Sequence, residues 1–173
     1  MIGEIRDFET AEIGVKAALT GHLVLSTLHT NDAPSALSRL VYMGLEPYLL
    51  ASSLNMILAQ RLVRKICPAC RSTMKPSEEM VQALHERFDD PCDFKFFEGR
   101  GCSNCANTGN RGRTAVHELY FVNSVQRDLI ARGAGEAELA AQAKSDGMQA
   151  FVAGVLGPDL GRHSSAFHTP MEV

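Results

Sequence analysis

The chain has 173 residues, of which 45% are hydrophobic and 21% charged. Its formal net charge is −3, which gives no support to nucleic acid as a partner, because such proteins usually present a basic surface. No apolar run approaches the ~20 residues that a bilayer-spanning helix needs. These properties favour a soluble cytoplasmic protein with one domain, or one domain and a small appendage.

Strands and helices alternate through the first 66 residues, as in an α/β domain with a largely parallel sheet. Leu23–Leu28 is predicted to be buried on both faces, because it is almost continuously apolar. The tail from about Gly157 is expected to be disordered. In chain order, the predicted elements are a strand ending at Gly3, helix Asp7–Leu19, strand Leu23–Leu28, helix Asp32–Met43, helix Pro47–Leu58, helix Ser77–Phe88, strand Thr114–Val122, helix Asn123–Arg132 and helix Glu136–Ser145.

Two C-x-x-C pairs, separated by 31 residues, predict a metal site. Each pair can turn both sulfurs to one side, and four thiolates with no open position suit a structural Zn²⁺. Such a site contributes on the order of 10 kcal/mol at neutral pH, enough to hold a subdomain whose own core is thin. The predicted ligands are Cys67, Cys70, Cys102 and Cys105.

Three other interpretations of these cysteines stay open. Two disulfides are disfavoured in a cytoplasmic chain, burial as small apolar residues does not explain the paired spacing, and an iron–sulfur cluster lacks a redox partner motif. Cys92 follows Pro91 between the pairs, has no partner in this pattern, and is interpreted as a spare thiol.

Glu4 and His29 each fall at or near the carboxyl end of a predicted strand, where ligands of parallel sheets bind. Glu4 there can bind a magnesium ion or its waters. His22 and His29 flank one strand about 20 Å apart, so they cannot share a small ligand. A solvated glutamate and a structural histidine are the alternatives. The remaining histidines are assigned no chemistry: His85, His117, His163 and His168.

Several strings of the sequence, taken together, resemble the type II secretion and type IV pilus-assembly ATPases. Ile2–Ala11 is similar to their Walker B segment, and Thr20–Asn31 is similar to their histidine box. The resemblance runs in collinear order from residue 1 to about 150. The other matching strings are the tetracysteine element, Gly44–Tyr48, Ala59–Arg64 and Gly109–Leu119.

The resemblance implies a hexameric, RecA-like motor that hydrolyses ATP at the cytoplasmic side of the inner membrane and turns a platform protein there. Glu4 would hold Mg²⁺ or its water, His29 would contact the γ-phosphate, and Arg6 and Arg113 match family arginines. The implied organisation is a partial RecA-like P-loop NTPase core (1–66), an inserted zinc subdomain (67–112), a strand plus helical part (113–156) and an irregular tail (157–173).

The sequence departs from that family at one essential motif. Phosphoryl transfer needs a cradle of backbone N–H groups and a lysine around the phosphates, yet G-x-x-x-x-G-K-[ST] and any Gly-Lys pair are absent from the 173 residues. We therefore expect a carboxy-terminal portion of the motor that neither binds nor hydrolyses ATP alone. The alternative is a non-enzymatic short paralogue that docks on the full motor or its platform. A zinc-ribbon binder of nucleic acid is disfavoured by the acidic charge.

Overall fold

The computed structural model describes residues 1–85, 96–149 and 151, which fall into two compact units. The described part of the first unit is 1–60 and 117–149, and that of the second is 61–85, 96–116 and 151. No helix in these ranges is long and apolar enough to span a membrane. The elements are α1 Phe8–Leu19, α2 Ala33–Tyr42, α3 Pro47–Ser53, β1 Met56–Ile66, β2 Arg71–Thr73, α4 Glu78–His85, β3 Phe97–Gly99, a 3₁₀ turn Ser103–Cys105, β4 Asn110–Phe121, α5 Ser124–Ala131 and α6 Glu136–Ser145.

The first two predicted helices are confirmed, and local capping explains where they begin. The backbone N–H of Thr10 donates to the Asp7 carboxylate at 2.8 Å, which closes the first turn of α1. Asp32 does the same for α2, where it accepts from the N–H of Ser35 at 2.8 Å. After α2 the chain turns at Gly44, whose φ of +104° suits a residue without a side chain.

The first residues pair with the segment after α1, although neither forms a regular strand. The N–H of Ile2 donates to the carbonyl of Leu25 at 2.9 Å, and the N–H of Ile5 donates to that of Thr27 at 3.0 Å. The two segments therefore run in the same direction. Leu23 and Leu25 are 80% and 58% exposed, so the prediction of burial on both faces is wrong. An apolar run predicts extended backbone but cannot supply the layer that would cover it.

The helix predicted over Pro47–Leu58 is wrong in its last third. Helix α3 ends at Ser53, Leu54 is extended with φ −81° and ψ 137°, and β1 begins at Met56. An apolar stretch this short does not distinguish a helix from a strand. The choice of strand over helix depends on β4, some sixty positions away, because β1 pairs with β4 in a two-stranded sheet.

Strand β4 confirms the predicted Thr114–Val122 strand and extends it back to Asn110. The N–H of Val122 donates to the carbonyl of Asn55 at 3.0 Å, and the His117 and Gln60 side chains meet at 3.0 Å. Residue numbers rise along β1 while those of their partners fall along β4, so the two strands are antiparallel. The helices predicted at Asn123–Arg132 and Glu136–Ser145 are confirmed as α5 and α6.

The core of the first unit holds a buried polar network as well as aliphatic side chains. Tyr120 and Gln126 are fully buried, and the Tyr120 hydroxyl donates to the side-chain amide oxygen (Oε1) of Gln126. Gln126 and Asn123 both donate to the Asp146 carboxylate, at 3.2 and 3.0 Å. Burial, together with the Asp146 charge, raises the pKa of Tyr120 to about 12. The network thus ties β4 to the start of α5 and the end of α6.

Leu37→Ala tests whether α2 packs into this core. Leu37 is 2% exposed, so losing its isobutyl group should lower the free energy of unfolding by about 2–5 kcal/mol, measured by urea denaturation. Tyr42, on the same helix, is 92% exposed. Tyr42→Ala should therefore change stability by no more than about 0.5 kcal/mol. Equal losses from both substitutions would contradict the packing.

Candidate functional site

Two turns of the second unit present the four predicted cysteine ligands. The first turn follows β1, where the N–H of Cys67 donates to the Gly109 carbonyl at 2.9 Å and that of Cys70 to the Cys67 carbonyl at 3.3 Å. The second turn is the 3₁₀ element Ser103–Cys105, which precedes β4. Backbone hydrogen bonds therefore hold both turns in place and bring the two cysteine pairs together.

The spacing of the four sulfurs fits a tetrahedral metal site. The Sγ atoms are 3.9 Å apart for Cys67 and Cys102, 3.8 Å for Cys70 and Cys105, and 3.7 Å for Cys102 and Cys105. All lie within 4.8 Å of one another. Sulfurs about 2.3 Å from a central Zn²⁺ are about 3.8 Å apart in a tetrahedron. A disulfide would need about 2 Å, and all four thiols are free.

The protein environment already favours one thiolate in this cluster. Desolvation opposes ionisation of Cys105, but N–H groups of Cys102 and Gly109 point at its sulfur and lower its pKa to about 6. Desolvation raises the pKa of Cys70 to about 12. A divalent cation would replace the remaining protons, since metals bind the thiolate form.

A close backbone contact supports the second cysteine turn. Strand β3 pairs with β2 in antiparallel register, with Arg71 opposite Gly99. Gly99 lies so close to Gly109 that a side chain on either would overlap the other's carbonyl group. The Arg71 guanidinium stacks 3.5 Å from the centre of the Phe97 ring. Small residues, together with one stacked pair, thus replace a large core in this unit.

Glu4, Arg6 and His29 form the second predicted site, in the first unit. The two carboxylate oxygens of Glu4 are both engaged: Oε1 lies 2.7 Å from Nε2 of His29, and Oε2 lies 2.6 Å from a guanidinium nitrogen of Arg6. The pairing of residues 2–5 with 25–27 places Glu4 and His29 side by side. The side chains of His29 and Arg6 are 81% and 75% exposed, and that of Glu4 is 21% exposed.

Arg6 and His29 both act on the pKa of Glu4. The Arg6 hydrogen bond is the largest influence and lowers the pKa of Glu4, burial opposes it, and the charges of Arg6 and His29 lower it further. The carboxylate is therefore ionised at neutral pH, as a ligand for Mg²⁺ or its water must be. Because both oxygens already have partners, a metal ion would have to displace one of them or bind through water.

Arg113 and His22 belong to other elements of the chain. Arg113 is exposed on β4 in the second unit, and its role stays a prediction. His22 contacts the Thr20 hydroxyl at 3.1 Å at the end of α1, consistent with a local structural role. Several predictions lie outside the described residues: Cys92, His163, His168, the end of the helix predicted to reach Phe88, and the 157–173 tail. The side chain of His85 lies outside them too.

Sequence reasoning missed one buried carboxylate. Glu118 is only 5% exposed, and its Oε2 accepts from the N–H of Ala33 at 3.1 Å. The alternation of β4 indicates that Glu118 faces inward. Val116 and Tyr120, two positions to either side, are buried, whereas the adjacent residues, His117 and Leu119, are exposed. The position of an inward-facing acid could thus be found in the sequence, but its partner could not.

The chain is similar in sequence to proteins of secretion and pilus machines. It is 54% identical over 155 residues to the type IV pilus assembly ATPase PilB of Myxococcus xanthus, covering 87% of this chain and 27% of that protein. It is 48% identical over 147 residues to the type II secretion system protein E of Pseudomonas aeruginosa, covering 85% and 29%. The chain therefore spans less than a third of the length of these relatives.

A solved structure supports the fold. The ATPase DotB of Legionella pneumophila superposes with a TM-score of 0.58 at 20% identity, covering 95% of this chain and 35% of that one. This likeness confirms the predicted mixed helix-and-strand fold of the P-loop ATPases. A family model described as type II/IV secretion system protein matches residues 1–164. The chain belongs to that family.

Proposed function

We propose that this chain supplies the Glu4 and His29 side of a Mg²⁺–nucleotide site in an ATPase that powers type II protein secretion or type IV pilus assembly. The observation that carries the proposal is the 2.7 Å contact between Glu4 and His29. It joins the Walker B-like and histidine-box-like segments at the ends of two paired extended stretches, where ligands of α/β sheets bind.

The chemistry of this pair suits metal-assisted phosphoryl transfer. Glu4, ionised at neutral pH, would hold Mg²⁺ or one of its waters, and the exposed His29 ring would reach the γ-phosphate. Arg6 would neutralise charge beside Glu4, and Arg113 is proposed as a further nucleotide contact. The lysine and backbone N–H groups that grip the phosphates must come from polypeptide other than these 173 residues, which hold no such string.

The tetracysteine cluster has a structural role in this proposal. Four sulfurs at tetrahedral spacing leave no open position for substrate. A bound Zn²⁺ would join the two cysteine turns and so hold the segment 67–112 together as a subdomain. The site thus maintains the shape of the motor subunit and takes no part in ATP hydrolysis.

The proposed assembly and location are those that the family resemblance implies. We propose that the motor works as a homo-hexamer at the cytoplasmic face of the inner membrane, bound peripherally to the platform protein of its machine. The alternative is a non-enzymatic paralogue that docks on a full-length motor or on that platform. The absence of G-x-x-x-x-G-K-[ST] from the 173 residues fits both the proposal and this alternative.

A chimera tests the nucleotide site. The chain would replace the matching segment of the Myxococcus xanthus PilB ATPase, to which it is 54% identical. We expect the chimera to hydrolyse ATP with Mg²⁺, and expect Glu4→Gln and His29→Ala each to lower kcat by about 100-fold or more. Release of phosphate measures turnover, and the isolated chain should show none.

Glu12→Gln is the matched control for the chimera, because Glu12 lies on α1 and forms an exposed ion pair with Lys16 at 3.0 Å. This variant should keep full activity. If Glu4→Gln and Glu12→Gln were equally active, Glu4 would have no role in the site. An inactive parent chimera, despite a folded and hexameric state, would favour the non-enzymatic alternative.

Cys67→Ser tests the zinc site. Loss of one buried thiolate should release the metal and unfold the second unit, since the remaining three sulfurs cannot complete a tetrahedron. Zinc content by atomic emission should fall from about one ion per chain to near zero. Cys92→Ser changes the cysteine that belongs to neither C-x-x-C pair of the sequence and should keep its zinc. Unchanged zinc in Cys67→Ser would refute the assignment.

Acid should also release the zinc. Protons compete with the metal for thiolates, so zinc affinity should fall as the pH falls. Zinc should therefore be retained at neutral pH and lost in acid. Transfer of zinc to a colorimetric chelator, followed from neutral to acid pH, measures the release. Affinity that does not change with pH would contradict ligation by thiolates.

A further inference from the structure

The start of helix α2 is occupied by two carboxylates of the protein itself. The first backbone N–H groups of a helix have no partner inside it. The N–H of Ser35 donates to Asp32 at 2.8 Å, Pro34 has none to donate, and the N–H of Ala33 donates to Glu118 at 3.1 Å. Asp32 is the local cap, whereas Glu118 reaches this helix from β4, 85 residues along the chain.

The position of Glu118 is costly unless its charge has partners. A carboxylate that is 5% exposed loses most of its hydration. The amino-terminal end of α2 offsets part of this loss, because its N–H groups and helix dipole favour a negative charge. An apolar residue would fill the same inward position of β4 without that cost, as Val116 does two positions away. The contact with Ala33 therefore demands a specific explanation.

The segment anchored by Glu118 leads directly to His29. Three residues, Thr30, Asn31 and Asp32, separate His29 from Ala33. Within that segment the Thr30 hydroxyl donates to the Asp32 carbonyl at 3.1 Å, and Asp32 and Ser35 cap each other. Because this connection is short and hydrogen-bonded within itself, the position of Ala33 restricts the position of His29.

We propose that Glu118 is a positioning residue for His29. By holding the N–H of Ala33, it fixes the start of α2 and sets the His29 ring against Glu4. The proposal rests on the proposed nucleotide site, in which His29 acts, but it concerns geometry that exists without nucleotide. Glu118 itself touches neither the proposed metal ion nor the phosphate.

Two NMR measurements on the zinc-loaded full chain, without nucleotide and at one neutral pH, test the proposal. Hydrogen exchange at the Ala33 amide reports the anchor, and the ¹H–¹⁵N signals of the His29 ring report its contact with Glu4. In Glu118→Ala, the Ala33 amide should exchange at least about tenfold faster, as loss of a hydrogen bond to a charged group implies. The His29 Nε2 signal should shift toward that of a Glu4→Gln variant, in which the contact is weakened directly.

Asn123→Ala provides the matched control. Asn123 caps α5 by accepting from the N–H of Gln126 at 2.9 Å, so its loss weakens the same unit at a helix start remote in sequence from His29. This variant should leave both signals where they are in the parent chain. If it shifts the His29 signal as far as Glu118→Ala does, or if Glu118→Ala leaves that signal unmoved, Glu118 is a helix cap only and the proposal fails.

Glu118→Gln keeps the test valid if Glu118→Ala does not fold. Its carboxamide oxygen can still accept from Ala33, so exchange at that amide and the His29 signal should both move part of the way, and together. Movement of one without the other would overturn the proposal. The proposed function is judged separately, because the chimera can lose or keep its dependence on Glu4 and His29 whatever these nucleotide-free spectra show.

Discussion

The antiparallel pairing of β1 with β4 is the constraint on which the rest of the molecule depends. The two strands, 11 and 12 residues long, contribute to both compact units. In the first unit β4 directs Glu118 and Tyr120 inward, toward the partners that hold α2 and α5. In the second unit the ends of the same strands lead into the two cysteine turns. The strands thus contribute to the packing of the first unit and lead into the cysteine turns of the second.

The two sites differ in the partners that their ligand atoms already have. Around the cysteines, four sulfurs lie within 4.8 Å of one another, and a divalent cation would stabilise them as thiolates. At Glu4 both carboxylate oxygens already contact side chains, those of Arg6 and His29. The first arrangement suits a structural metal with four protein ligands. In the proposed nucleotide site, the second would receive an ion that keeps part of its water shell.

The sequence predicted most helices, the β4 strand and the grouping of four cysteines, because each depends on local pattern or spacing. It failed where distant residues decide. Residues 54–58 were predicted to be helical but are not, because β4 pairs with the chain from Met56 onward. Leu23 and Leu25 are exposed although their run is apolar. The contact of Glu118 with Ala33 spans 85 positions and has no local signature.

The contact between Gly99 and Gly109 limits how this part of the molecule can evolve. Because peptide groups touch there, any side chain at either position must separate the backbone beside the second cysteine turn. Metal ligands can in principle be exchanged, cysteine for histidine, in a single step. A backbone contact offers no such substitute. Exchange of a cysteine for another metal ligand is therefore easier to accommodate in this subdomain than a side chain at either glycine.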